Sequence, residues 1–439
     1  MNYIIFFFSF ILVIKTQVII VPFKTISPNK LTHENYMSEL INNNIIIELK
    51  IGTPYQIIPV LIKLNQIPFF ITSSSYKNDS TKFNSSKSSS YTQDPNIPYI
   101  SNNYEYNQAF FGEDIISIGN ISNKDSFLNR TNFFLATNLT RDDNNIYGEI
   151  GLNIINTLYM SFVNQLKNKK KIKDYIFSLK YTTENEGEFH LGNYFHIYDN
   201  NYKENDFKNM EVGIMDSYID NWDLYFYKIY LSNGNNTYTN NVRLSYEFGF
   251  ILGTWNYFTL IKQIFFDIFE SQCEKQNLDK YFYYKCDGNI DLNNFPDLIF
   301  FRDELNFTLT KNELWKKFDN KYYFLIIFSE NQKDKWILGK ILFQKYTILF
   351  NLDKKNIGFY PNSINSVPDE QKSQENEKKY SFPFSWILVI ILPILLLIDV
   401  FYILYYLKSK NRKTRVNELE DNYEYIPQTN QKDPISINN

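Results

Sequence analysis

Twenty-two consecutive residues, Trp386 to Leu407, are almost all Ile, Leu, Val, Phe and Tyr. At ~1.5 Å of helical rise per residue such a run covers a hydrocarbon layer of ~30 Å, and it predicts a transmembrane helix. Pro393 fits there with a kink, whereas Asp399 is costly unless it snorkels, pairs or stays protonated. Tyr402, Tyr405 and Tyr406 stand where an aromatic belt is expected, and Lys408, Lys410, Arg412, Lys413 and Arg415 follow directly. By the positive-inside rule residues 408–439 are cytosolic, so the bulk of the chain is expected to be lumenal or extracellular, as in a single-pass type I protein.

The N-terminus agrees with that topology. Ile4 to Ile14 is apolar but for Ser9, a length that suits a signal-peptide core and is too short to span a bilayer. No basic n-region precedes it, and the cleavage zone near Thr16 and Gln17 lacks a small-x-small pattern. Residues 1–17 are read as the signal peptide and 18–43 as a short N-terminal segment. Residues 362–383, rich in Ser, Asn, Glu, Lys and Gln, read as a hydrophilic stalk before the membrane.

Asn-x-Ser/Thr sequons occur at Asn78, Asn84, Asn120, Asn129, Asn138, Asn235 and Asn306, all on the expected lumenal side. The chain is very rich in Asn, so chance accounts for part of this. The only two cysteines, Cys273 and Cys286, lie close together on the same side. An oxidising compartment allows them one bridge; two reduced buried thiols are the alternative. The 45 basic and 48 acidic side chains nearly cancel, so nothing in the charge points to nucleic acid as a partner.

Between the ends, short runs mixing β-branched and aromatic residues alternate with Asn, Gly, Asp and Ser turns. Strands are expected at Ile45–Ile51, Ile57–Leu64, Asp114–Ile118, Ile176–Tyr181, Glu188–Leu191, Leu224–Leu231, Tyr322–Phe328 and Tyr346–Leu352. Helical periodicity is confined to stretches such as Ile154–Lys167 and Tyr257–Gln272. The domain is mainly β.

The order of motifs then resembles one family. Ile51-Gly52-Thr53-Pro54-Tyr55-Gln56 is similar to the hairpin that opens the N-terminal lobe of pepsin-like aspartic peptidases. Phe111 to Gly119 resembles the strand after their flap, and Tyr147-Gly148-Glu149-Ile150-Gly151-Leu152 their Asp-Gly-Ile-Leu-Gly-Leu segment. Ile176 to Leu179, Gly187 to Gly192, Trp222, the cysteine pair, Phe295 to Leu298, and Trp336 to Lys340 followed by Asn356 to Tyr360 continue in the family order. The resemblance implies a bilobal acid-protease fold over about 44–361, with an N-lobe near 44–192 and a C-lobe near 193–361.

The family's chemistry needs an Asp-Thr-Gly from each lobe, so that two carboxylates share a proton and hold the attacking water. Neither triplet is present. Counting from the Gly-Thr-Pro hairpin, the first falls on Lys63-Leu64-Asn65. In the second lobe, counting back from Gly253 gives Ser245-Tyr246-Glu247, and matching the glycine to Gly249 gives Glu247-Phe248-Gly249. In the latter register Lys63 and Glu247 would face each other, and a salt bridge is conceivable in the place of the proton-sharing pair. A charged lysine cannot act as general base to the water.

The flap segment is altered too. It reads Asn103-Tyr104-Glu105-Tyr106-Asn107-Gln108, with Tyr104 or Tyr106 in the place of the flap tyrosine. Residues 18–44 are too short for an inhibitory prosegment. His33, His190 and His196 make no convincing metal or nucleophile constellation. No metal or cofactor is expected. In the tail, Tyr423-Glu424-Tyr425-Ile426 fits a tyrosine-based sorting pattern. The expectation is an inactive homologue that binds a peptide or protein in its cleft; an endopeptidase with a non-standard catalytic pair is the alternative.

Overall fold

The computed structural model describes residues 18–25, 36–41, 43–64, 69–99, 106–118, 127–140, 147–154, 161–212, 221–237, 240–302, 305–330 and 335–360. Strand content dominates. The expected span Trp386–Leu407, the signal, the stalk and the tail motif lie outside these residues, and among the described residues no helix is long and apolar enough to cross a membrane.

The largest sheet begins with β1 (Ile19–Thr25), β2 (Ile45–Ile51), β3 (Gln56–Lys63) and β4 (Phe69–Thr72). It continues through β5 (Thr92–Tyr99), β6 (Tyr106–Ile118), β7 (Phe127–Leu139) and β8 (Gly148–Gly151). Alternation explains these strands: in β1 and β2 every second side chain is buried, the period-2 pattern of a sheet with one face on a core.

Short as it is, the N-terminal segment has a defined place. β1 pairs antiparallel with β10 (Glu186–Leu191), which pairs with β9 (Ile176–Tyr181). The chain's last described strands, β24 (Thr347–Asn351) and β25 (Asn356–Tyr360), join that same platform, β24 against β9 and β25 against β11 (Lys208–Glu211). Sheet membership therefore runs across the expected lobe boundary near residue 192.

The C-terminal lobe has a five-stranded sheet in the order β12 (Asp223–Tyr225), β14 (Asn241–Leu244), β23 (Trp336–Leu338), β15 (Ile251–Leu252), β22 (Ile326–Ile327). A three-stranded sheet joins β13 (Lys228–Leu231) to β18 (Leu298–Arg302) and β19 (Leu305–Leu309). A four-stranded one joins β16 (Cys273–Leu278), β17 (Tyr281–Asp287), β21 (Lys321–Phe324) and β20 (Trp315–Phe318). Cys273 and Cys286 face each other in the β16–β17 ladder and form a disulfide.

Four expected elements differ, among them Tyr322–Phe328, which is divided between β21 in the four-stranded sheet and β22 in the five-stranded one. The single run Leu224–Leu231 is split: β12 pairs with β14, while β13 pairs with β18 in another sheet. The expected helix Tyr257–Gln272 begins at Trp255, capped by the Thr254 hydroxyl, and after Ile261 widens into a π-turn over Lys262–Phe266. The helix expected from Ile154 starts at Phe162, residues 155–160 lying outside the described ones.

Candidate active-site cleft

The two lobes repeat one strand arrangement, and that repeat locates the cleft. In the first lobe β3 runs parallel to β8, with Lys63 opposite Gly151, and β8 is antiparallel to β4, with Ile150 opposite Phe69. In the second lobe β14 runs parallel to β23, with Leu244 opposite Leu338, and β23 is antiparallel to β15, with Leu338 opposite Ile251. One step beyond the last β14 pair, Ser245 stands to Gly339 as Lys63 stands to Gly151, and Ser245 N–H donates to Leu338 O at 3.1 Å. β4 and β15 each continue into a parallel partner, β7 and β22 respectively.

Lys63 and Ser245 are thus related by the repeat, each followed by a loop of equal length, 64–68 and 246–250, before the next strand. This settles the geometric register: Ser245, not Glu247, is the counterpart of Lys63. Glu247 is displaced to the third position, where its carboxylate links the loops. Leu64 N–H donates to one oxygen at 2.6 Å, and the Ser245 hydroxyl donates to the other at 2.5 Å. Among the described ion pairs none joins Lys63 to Glu247, so the salt bridge entertained for the other register is not formed. Lys63 Nζ instead meets Asn44 Oδ1 at 3.5 Å.

Backbone proximity explains why glycine stands where it does. A Cβ on Gly339 would lie 2.1 Å from Phe248 O and 2.2 Å from Phe250 O, and one on Gly249 would lie 1.8 Å from Leu40 O. Those contacts pack the Ser245–Phe250 loop between β23 and the N-terminal segment.

That segment contributes groups that sequence reasoning missed. Helix α1 (Tyr36–Ile41) buries Met37 against Phe250, Leu252 and Ile327. The Asn43 side chain donates to Tyr246 O at 2.8 Å and to the Tyr181 hydroxyl at 2.7 Å, while Asn43 N–H donates to Glu247 O at 2.9 Å. In sequence Asn43 is one of three consecutive asparagines and reads as turn filler; no local signal marks it. Burial drives the Tyr181 phenol well above its ordinary pKa, the Asn43 bond acting the other way.

Elsewhere, the strands β5 and β6 form the hairpin expected as the flap. Tyr104 lies outside the described residues, and Tyr106 opens β6 opposite Leu139 of β7. His190 is buried between the Glu188 carboxylate at 2.9 Å and the Tyr198 hydroxyl at 2.8 Å, and His196 meets the Tyr360 hydroxyl at 2.8 Å; both lie on strand β10 or just after it, with structural partners. Among the described residues no group of His, Cys, Asp or Glu is placed to hold a metal. Of the sequons, Asn78, Asn138, Asn235 and Asn306 are exposed. Asn84 is half-buried with its side-chain oxygen taken by Ser86, while Asn120 and the Asn129 side chain lie outside the described part.

A family model for eukaryotic aspartyl proteases matches residues 45–362. The chain belongs to that family. Its match covers both copies of the repeated arrangement and the closing strands β24 and β25. No curated protein matches the chain. For a family whose reaction depends on two carboxylates sharing a proton, the two loops of this member, 63–68 and 245–250, hold a single acidic residue, Glu247.

Proposed function

We propose that this protein is a membrane-anchored, proteolytically inactive aspartyl protease homologue whose cleft binds a peptide or protein. The observation that carries the reading is the repeat-related pair Lys63 and Ser245, standing at the positions from which the family's two aspartates would act. Neither side chain can take up the water's proton in the way that chemistry requires: an ammonium has no lone pair, and a serine hydroxyl, here donating to Glu247, is far too weak a base. Glu247 is a carboxylate without a carboxylate partner in the two loops, and it already accepts from Leu64 and Ser245. The cleft architecture is retained, which favours recognition over cutting.

Anchoring rests on the apolar run Trp386–Leu407 and the basic residues after it. The Cys273–Cys286 bridge and the exposed sequons favour the lumenal or extracellular side for the lobes.

The test uses the full chain in detergent, incubated with an unfolded protein at mildly to strongly acidic pH, with and without a transition-state-mimic inhibitor of the family. No inhibitor-sensitive cleavage is expected. Cleavage that the inhibitor blocks and that Glu247→Gln diminishes would overturn the reading in favour of an endopeptidase with a non-standard pair.

A further inference from the structure

Helix α2 (Phe162–Asn168) runs out into a stretch of lysines with no acid among them: Lys167, Lys169, Lys170, Lys171 and Lys173. The helix closes in a left-handed turn at Lys170 (φ 56°), where Lys170 N–H donates to Lys167 O at 2.8 Å and Lys171 N–H to Leu166 O at 2.9 Å. Glycine or asparagine takes up that conformation at lower cost. Asparagine is abundant in this chain, yet a lysine holds the position.

A second basic run lies far along the sequence. The turn between β24 and β25 exposes Lys354 and Lys355, and Lys355 is again left-handed (φ 50°). Sheet pairing brings the two runs together: Asn351 of β24 stands opposite Ile176 of β9, and Leu352 N–H donates to Tyr175 O at 2.8 Å.

Little within the protein answers this charge. Lys167 reaches Asp174 at 4.0 Å, but among the described residues no ion pair involves Lys169, Lys170, Lys171, Lys173, Lys354 or Lys355. Burial lowers the pKa of Lys169, with the Glu113 carboxylate acting the other way, and Glu113 is itself engaged by Arg130 at 3.4 Å. Segments 167–175 and 351–356 together hold seven lysines and two aspartates, Asp174 and Asp353, on a chain whose formal net charge is -3. Like charges crowded in this way repel one another, and a bound polyanion relieves the repulsion. The surface offers no large apolar side chain for insertion into a bilayer: Ile172 is buried, and the exposed large hydrophobics lie on other segments. Interfacial membrane binding adds apolar insertion to charge, so the patch suits a soluble polyanion better than a lipid surface.

We propose that the lysines of 167–173 and 354–355 form a docking surface for a sulfated polysaccharide, a linear polyanion met on the lumenal or extracellular side. The choice of polyanion rests on the topology proposed above; the charge attraction does not. A basic run of this length meets several sulfates at once and releases their counterions.

The experiment is fluorescence polarisation of a labelled heparin fragment against the full chain in non-ionic detergent. Binding is expected at about 50 mM salt and should weaken on the order of a hundredfold by about 200 mM, as about five released counterions require. The triple variant Lys170→Gln, Lys171→Gln, Lys173→Gln should weaken it by at least about tenfold, and Lys354→Gln with Lys355→Gln should weaken it as well. A control triple on the four-stranded sheet, Lys275→Gln, Lys280→Gln, Lys317→Gln, removes the same charge from exposed positions and should leave the affinity within about twofold. Thermal melts of each variant report folding. Absence of heparin binding, an equal loss in the control triple, or binding that survives the first triple overturns the proposal. Desulfated heparin that binds as tightly overturns the role of sulfate, and tighter binding of anionic lipid vesicles through the same lysines overturns the polysaccharide in favour of a membrane surface.

Discussion

Glu247 lies two residues past Ser245, yet its carboxylate is bonded to the backbone of the loop after Lys63, on the other lobe. Counting residues in one lobe gave two registers, the one from Gly253 preferred and the one from Gly249 its alternative, because either glycine can anchor the count. The strand pairing removes one of them: Ile150 pairs with both Ile62 and Phe69, and Leu338 with both Leu244 and Ile251, so Lys63 and Ser245 stand at the same step of the repeat. Lys340 shows the same limit. It follows Gly339 in a run read only as part of a strand motif, but its side chain lies over the Tyr181 ring and bonds Asn185 Oδ1 at 3.1 Å. Desolvation lowers its pKa from 10.5 to about 8, with Glu184 opposing and Lys316 adding to the shift. The folded state therefore holds this proton less tightly than the unfolded chain. The penalty is full below pH 8 and disappears as pH rises from about 8 to 10.5. Lys340→Met should stabilise the protein at neutral pH by on the order of 2 kcal/mol, with the gain shrinking above pH 8. Urea melts at neutral pH and at pH 10 measure it, and an equal or larger gain at pH 10 would contradict the assignment.

At the scale of elements, the strands β2, β3, β9 and β10, and the hairpin joining β2 to β3, were legible because β-branched runs and turn residues are both local. The split of Leu224–Leu231 was not. Its two halves obey the same alternation, and only the partners β14 and β18, far along the chain, pull them into different sheets. The β16–β17 hairpin is an intermediate case: proximity in sequence suggested the Cys273–Cys286 bridge, and the register pairing of the two residues supplies the geometry. Replacing both cysteines with alanine should cost about 3 kcal/mol, from the loop entropy returned to the unfolded chain. Denaturation of the oxidised wild type and the double variant checks this, and superimposable curves would remove the bridge from any role in stability.

Across the whole molecule, the platform of β1, β9, β10, β24, β25 and β11 joins the start, the middle and the end of the domain in one sheet. The N-terminal segment thereby becomes part of the fold, carrying α1 and Asn43 against the Glu247 loop. The apolar run beyond the domain carries its own prediction. The full chain should stay in the membrane pellet after alkaline carbonate extraction, and a chain stopped after Pro383 should move to the supernatant; recovery of the full chain in the supernatant would remove the anchor. By itself the sequence determined the β class, the family and the loss of both Asp-Thr-Gly triplets, because these depend on composition, local periodicity and motif order. The tertiary structure alone decided which C-lobe residue answers Lys63, and that Glu247 braces the loops rather than pairing with the lysine. Those facts depend on contacts between segments some 180 residues apart, whose geometry is fixed by sheet register and close packing rather than by neighbouring residues.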